Sequence, residues 1–114
     1  MNENHITAQR IADVLTAKNV DFEQKRMFGG ECFMVEGKML MGTYKGGMMA
    51  RTGSAEAEEL SNRKGASQMI HAGRLMAGYL FVEPEGYEND GDLMLWVEKC
   101  LVFNPQAKAS GKKK

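Results

Sequence analysis

The segment RMFGGECFMVEGKMLMGTYKGGMMAR, residues 26–51, decides the fold, because short apolar runs alternate in it with glycine-containing turns. It holds six methionines and six glycines, and the turns fall at residues 29–30, 36–37 and 46–47. Glycine suits such turns because it adopts positive φ without the steric cost of a Cβ. Parallel strands would need long crossovers, for which these turns leave no room. Together with FEQKRMF, residues 22–28, which overlaps its start, the segment predicts an antiparallel meander of three or four strands.

Three further segments predict helices. Residues 6–20, ITAQRIADVLTAKNV, place Ile6, Ile11, Val14 and Leu15 mostly at helical spacings. Residues 54–65, SAEAEELSNRKG, begin with a capping serine, carry acids early and bases late, and stop at a glycine. Near the end, the strongest helix signal is an apolar stripe at i, i+3, i+4, i+7 and i+8, formed by Leu93, Trp96, Val97, Cys100 and Leu101. We expect the tryptophan of this stripe to be buried.

Residues 68–83 lie between the second and third helices and read as one or two strands, broken at Gly73 and ended by Pro84. The predicted order is therefore α, three or four strands, α, one or two strands, α. This order is typical of a two-layer α+β fold, in which helices cover one face of an antiparallel meander sheet.

Ten methionines are expected to fill the core, because a flexible thioether packs into irregular spaces. A methionine-rich surface that repacks around partners is the alternative. In the predicted sheet, alternate side chains would face the helices, and the others would face solvent or a partner. Cys32 and Cys100 fit neither a CxxC pair nor a zinc spacing, so we expect buried, unreactive thiols.

The charges are unevenly distributed. Residues 1–106 carry eleven basic and fifteen acidic side chains, a formal charge of −4, whereas residues 107–114, AKASGKKK, hold four lysines. We expect a single domain over 1–106 and a flexible tail over 107–114. Direct nucleic-acid binding is not expected of an acidic domain, and binding through the tail is a weaker alternative. Without a signal peptide or a membrane-length apolar run, a cytoplasmic protein is expected.

Patterns for known reaction chemistry are weak. Neither GxGxxG nor GxxxxGK[ST] occurs, and no serine lies in a GxSxG elbow. A Cys100–His71 pair stays open, although a cysteine on the apolar stripe of a helix usually belongs to the core. We therefore predict no catalytic residues, no cofactor and no metal site.

The stretch EPEGYENDGD, residues 83–92, contains five acids and no base. Its spacing does not fit the EF-hand calcium loop. We favour a solvated loop followed by a helix cap, supplied by Asn89 or Asp90. The alternative is an acidic rim that contacts a protein, formed by Glu83, Glu85, Glu88 and Asp90.

Several of these features, in this order, resemble the TfoX/Sxy N-terminal domain family. The MFGG turn with its preceding arginine leads into a strand, a short glycine turn and a second strand, at Arg26, Met27, Phe28, Gly29, Gly30, Gly37 and Lys38. Gly78-Tyr79 and the strand that ends at Pro84 also match, as does the LxxWV-type final helix. The resemblance covers roughly residues 10–103.

The resemblance implies a small α+β domain, compared in fold with secretion chaperones, and no catalytic residues. Some members regulate competence genes together with a transcription activator, and those longer proteins add a C-terminal helical domain. We therefore expect a non-enzymatic domain that acts through protein contacts in transcriptional regulation. A transcription regulator or a second copy of the chain would be the partner. The alternative is an enzyme or ligand-binding protein with a pocket between sheet and helices.

Overall fold

The computed structural model describes residues 3–27 and 29–107. Its elements are α1 (Glu3–Ala17), β1 (Glu23–Met27), β2 (Gly30–Val35), β3 (Lys38–Tyr44), β4 (Gly47–Arg51), α2 (Ser54–Leu60), β5 (Ala66–His71), β6 (Arg74–Val82) and α3 (Asp90–Phe103), with 3₁₀ turns at Pro84–Gly86 and Asn104–Gln106. The predicted order is confirmed, with four strands before α2 and two after it. The lysine-rich segment 108–114 lies outside the described residues.

All six strands form one antiparallel sheet in the order β1-β2-β3-β4-β6-β5. The first four strands are the predicted meander. The chain then passes through α2 to the outer edge, where it forms β5, and returns as β6 beside β4. Met48 consequently lies opposite Val82, and Val82 lies opposite Ala66.

The helices cover one face of this sheet and form the main core with it. Strand residues Phe33, Met48 and Leu80 pack with Leu15 and Trp96 from the helices, and all five are fully buried. Trp96 donates a hydrogen bond from Nε1 to the Gly86 carbonyl at 3.0 Å. The expected burial of Trp96 is therefore confirmed, and its polar atom is paired.

The opposite face of the sheet is also buried, so the expectation that its side chains face solvent or a partner is wrong. This second core contains Cys32, Met34, Met39, Tyr44, Met49 and Met69. Each of these side chains is at most 6% exposed. The methionines of the opening segment thus pack on both faces of the sheet, as a methionine-rich core requires.

The second face is covered because the β5–β6 hairpin folds back over it. Gly78 has φ 87°, and its carbonyl accepts hydrogen bonds from the amides of Thr52 and Gly53 at 3.0 and 3.1 Å. Tyr79 lies opposite Arg51, at the end of β4 that is remote from the β3–β4 turn. If β6 were straight, the residues before Tyr79 would therefore carry the tip of the hairpin further away from that turn. The tip instead returns to that turn, where His71 meets Tyr44.

Two helices, α1 and α2, differ from the sequence expectation, whereas the expected cap of α3 at Asn89 is confirmed. Ile6 is 47% exposed and lies outside the core of α1, where the smaller Ala8 is buried instead. The N-cap of α2 is Gly53 and not Ser54, and α2 ends at Leu60. In α3 the cap is Asn89, whose side chain accepts a hydrogen bond from the Asp92 amide. No helix in the described ranges is long and apolar enough to cross a membrane.

Candidate interaction surfaces

The described residues of the MFGG motif, Met27, Gly29 and Gly30, lie where β1 ends and β2 begins. Gly29 has φ 74°, as expected for one of the two turn glycines, and a Cβ there would enter open space. Gly30 has a different constraint, because a Cβ would overlap the carbonyl oxygen and Oγ1 of Thr43. Met27 ends β1 and packs against the second core, Arg26 beside it is exposed, and Phe28 lies outside the described residues. The described part of the motif therefore has a clear structural role.

The second motif turn connects the sheet to the chain that follows α3. Gly37 has φ 77° in the β2–β3 turn, where no neighbour lies within contact of a Cβ. Lys38 Nζ lies 3.4 Å from the Asn104 carbonyl and 3.3 Å from that of Pro105. The Asn104 side chain in turn donates to the Val35 carbonyl. These polar contacts hold the 3₁₀ turn after α3 against the end of the sheet.

The four residues of the predicted acidic rim are all exposed: Glu83, Glu85, Glu88, Asp90. Arg10 of α1 reaches the second half of this rim, where its Nη2 lies 3.3 Å from both the Glu88 carbonyl and Asp90 Oδ1. Glu83 and Glu85 lie instead beside the start of β5, since Glu85 borders Gly65 and the Glu83 amide donates to the Gly65 carbonyl. The rim therefore divides into two parts with different neighbours.

The Cys100–His71 pair does not form. Cys100 belongs to the helix-side core, whereas His71 is bonded to Tyr44 on the opposite side of the sheet. Burial raises the pKa of Cys100 to about 12, and burial followed by the charge of Glu31 raises that of Cys32 to about 11. Both thiols therefore stay protonated near neutral pH and are poor nucleophiles. The described residues contain no group of three or more His, Cys, Asp or Glu that could hold a metal ion.

A groove of about 410 Å³ lies between the start of α2 and the end of α3. Val102, 72% exposed, and Phe103 line it on the α3 side. Lys99 Nζ and Glu56 Oε1, 3.5 Å apart, link the two helices at its border. The guanidinium of Arg51 lies 5.9 Å from the centroid of the Phe103 ring, an attractive cation–π arrangement. The groove-facing ring is therefore held in place from the sheet.

Sequence reasoning did not identify this groove. A usable signal was Val102, an apolar residue that follows the buried stripe of α3 but does not belong to it. The glycine at position 53, directly before the predicted second helix, was a second signal. The structure explains it, because Gly53 has φ 89° and lies so close to the Phe103 ring that no side chain would fit. Neither feature, however, predicts that α2 and α3 lie next to each other.

Comparison with curated proteins and with solved structures gives no match. The model of the TfoX N-terminal domain family matches residues 15–103, which include the MFGG turn, all six strands and the apolar stripe of α3. This range covers most of the chain and both turns of the motif. The chain therefore belongs to the TfoX N-terminal domain family.

Proposed function

We propose that this chain is a non-enzymatic regulatory domain that binds a protein partner in the groove between α2 and α3. The observation that carries the proposal is the exposure of Val102 at 72%, beside the Phe103 ring, in a groove of about 410 Å³. A concave site lined by an exposed apolar side chain and an aromatic ring lets a partner bury an apolar residue there.

The rigidity of the groove supports binding. Arg51 lies between the rings of Tyr79 and Phe103, with its guanidinium carbon 5.4 and 5.9 Å from their centroids. Gly53 lies directly against the Phe103 ring. A ring held on two sides loses little conformational freedom when a partner docks, so the cost of binding is reduced.

The buried thiols and Tyr79 argue against a nucleophilic role for these three side chains. Burial raises the pKa of Cys32, Cys100 and Tyr79, although the nearby Arg51 cation partly opposes the effect on Tyr79. A catalytic nucleophile needs the opposite change, a lowered pKa or an adjacent base. The polar pair at the groove, Lys99 and Glu56, is a surface ion pair, and such pairs commonly form between packed helices.

The regulatory part of the proposal rests on the family. The resemblance implies competence-related transcriptional control exerted through a transcription regulator, and we extend that role to this chain. The partner would place an apolar side chain against Val102 and Phe103. Its charges would be arranged around Lys99 and Glu56 at the border.

The test combines a folded variant with a transcript readout. Val102→Asp, introduced at the chromosomal locus, should reproduce the transcript changes of a complete deletion. Ile6→Asp alters a 47% exposed residue of α1 away from the groove and should leave transcripts unchanged. Circular dichroism and melting temperature of both purified variants must match those of the wild type. Wild-type transcripts in the Val102→Asp strain would refute the proposal.

A small ligand in the same groove is the second candidate function, because about 410 Å³ falls within the usual range of ligand sites. Native mass spectrometry of the protein purified from its source cell separates the two. A bound small molecule that Val102→Asp releases would favour ligand binding. A photo-crosslinker at position 102 that joins one regulator, when the same crosslinker at position 6 does not, would favour the protein partner.

A further inference from the structure

The end of α3 and the turn after it, residues 102–106, form one wall of the α2–α3 groove. Two carbonyls in this groove wall, those of Asn104 and Pro105, lie 3.4 and 3.3 Å from Lys38 Nζ. The last carbonyls of a helix have no partner within the helix, and a cation near them also interacts favourably with the negative end of the helix dipole. Lys38 is not among the residues that line the groove, so it fastens the groove wall from outside.

Two further contacts join the groove wall to the same part of the sheet. The Asn104 side chain donates a hydrogen bond to the Val35 carbonyl at 3.3 Å. The guanidinium of Arg51 lies 5.9 Å from the centroid of the Phe103 ring, and its Nη1 donates to the Met39 carbonyl at 3.5 Å. Val35 is the last residue of β2 and Met39 is the second residue of β3. Both contacts therefore lie beside the β2–β3 turn.

The β2–β3 turn brings these groups together. Glu36 and Gly37 have φ of 54° and 77°, and a two-residue turn of type I′ requires positive φ at both of its central residues. Such a turn fixes the register of the hairpin, in which Val35 lies opposite Lys38. The Val35 carbonyl and the Lys38 side chain are therefore placed side by side, where both contact the groove wall.

The groove wall depends on these polar contacts because it buries little apolar surface. Asn104 is its buried residue, at 5% exposure, and the Phe103 ring is half-buried. The other three side chains of the wall are exposed: Val102, Pro105, Gln106. Segments with few buried apolar contacts open locally at a lower free energy than the rest of a fold. The loss of a polar contact should therefore alter the wall before it affects the sheet.

We propose that Lys38 is a positioning residue of the α2–α3 groove. It lies outside the groove and holds the groove wall in the conformation that receives a partner's apolar side chain. The inference rests on the proposed function of the groove, and it goes further because it assigns the shape of the groove to the β2–β3 turn. Both carbonyls need a donor at the end of a long side chain, so arginine should replace Lys38. Methionine has a long side chain without a donor and should not.

Hydrogen exchange of the purified chain tests this role without a partner. Two amides report on the groove wall, because the Asn104 amide donates to the Cys100 carbonyl and the Ala107 amide donates to the Asn104 carbonyl. Lys38→Met should raise the exchange rates of both amides about tenfold, since local opening becomes easier. Lys38→Arg should keep the wild-type rates. Lys25→Met, which alters an exposed lysine of β1, is the matched control and should also keep them.

Two results of this experiment would overturn the proposal. The first is wild-type exchange at Asn104 and Ala107 in the Lys38→Met variant. The second is an equal rise in exchange across all six strands, because Lys38 would then stabilise the whole fold and would not act on the groove wall in particular.

The second test measures transcripts in the cell. Lys38→Met at the chromosomal locus should reproduce the transcript changes of Val102→Asp, and Lys38→Arg should restore wild-type transcripts. Wild-type transcripts in the Lys38→Met strain, beside altered transcripts in the Val102→Asp strain, would overturn the role of Lys38 alone. Wild-type transcripts in the Val102→Asp strain would refute the proposed function itself. Exchange at Asn104 and Ala107 would then decide whether Lys38 positions the groove wall.

Discussion

Tyr44 and His71 lie 27 residues apart in sequence, and a 2.8 Å hydrogen bond joins Tyr44 Oη to His71 Nδ1. The Tyr44 hydroxyl also lies 3.5 Å from the Ile70 carbonyl, and the two rings meet edge to face with centroids 5.7 Å apart. These contacts connect β3 to the end of β5, although two strands, β4 and β6, lie between them in the sheet order. They hold the folded-back hairpin over the methionines of the second core.

Tyr44→Phe removes the hydroxyl and keeps the ring. The free energy of unfolding should fall by about 1 kcal/mol, the usual contribution of a hydrogen bond. Hydrogen exchange should become faster in residues 69–76, because the hairpin tip loses its polar attachment. Tyr79→Phe, a change in the same cluster, serves as the control and should leave exchange in that segment unaltered. Equal protection of residues 69–76 in wild type and Tyr44→Phe would show that apolar contacts alone hold the hairpin.

Gly29 and Gly30 should respond differently to alanine. Gly29→Ala places a Cβ in open space but at φ 74°, so we expect a loss of about 1 kcal/mol. Gly30→Ala drives a Cβ into the carbonyl oxygen and Oγ1 of Thr43, and this Oγ1 also accepts a hydrogen bond from the Glu31 amide. We therefore expect a loss of about 3 kcal/mol. Urea denaturation of both variants measures the difference. Equal losses of stability would mean that β2 and β3 adjust to the added methyl group. A variant that stays folded but no longer binds its partner would show that MFGG is a binding site.

Trp96 contributes both apolar contact and a hydrogen bond. Trp96→Ala should lower the free energy of unfolding by about 3–5 kcal/mol, as the removal of a large buried ring does. Trp96→Phe keeps most of the ring and should cost less, with about 1 kcal/mol coming from the lost bond to the Gly86 carbonyl. Tryptophan fluorescence of the wild type should be blue-shifted and resistant to acrylamide. Red-shifted, easily quenched emission would contradict the burial of Trp96.

The buried thiols predict a loss of stability at high pH. The pKa of Cys32 is raised to about 11 and that of Cys100 to about 12, from the ordinary 9.0, because burial disfavours the thiolate. Above pH 9 the unfolded chain releases these protons and the folded chain retains them, so stability falls as pH rises from 9 towards 11. Below pH 9 the two thiols contribute no pH dependence.

The thiol prediction is tested by comparing the free energy of unfolding at several pH values between 8 and 11 in two proteins. A Cys32→Ala/Cys100→Ala variant should show a shallower decline than the wild type over this window, whatever its stability at pH 8. A thiol reagent should label the native wild type far more slowly than the urea-unfolded chain. Parallel pH curves, or rapid native labelling, would show that the thiols are accessible.

Local patterns in the sequence determined the elements and their order. Glycine-containing turns with positive φ at Gly29, Gly37 and Gly46 defined the meander, because only a few residue types adopt that conformation at low cost. The stripe from Leu93 to Cys100 defined α3 and placed Trp96 in the core, since helical periodicity alone specifies which side of a helix is apolar. The family motif depends on the same short-range features.

Long-range contacts decided the rest. No local signal shows that β6 enters the sheet beside β4, or that the hairpin turns back at Gly78 to bury Met49 and Met69. The alternation of side chains along a strand specifies the two faces of a sheet but not which elements cover them. Here one face is covered because His71, distant in sequence, forms a hydrogen bond with Tyr44. The groove at Val102 and the 59% exposure of the Ile70 side chain likewise depend on contacts between separate elements. They became visible only in the tertiary structure, because exposure depends on which neighbours the complete fold supplies.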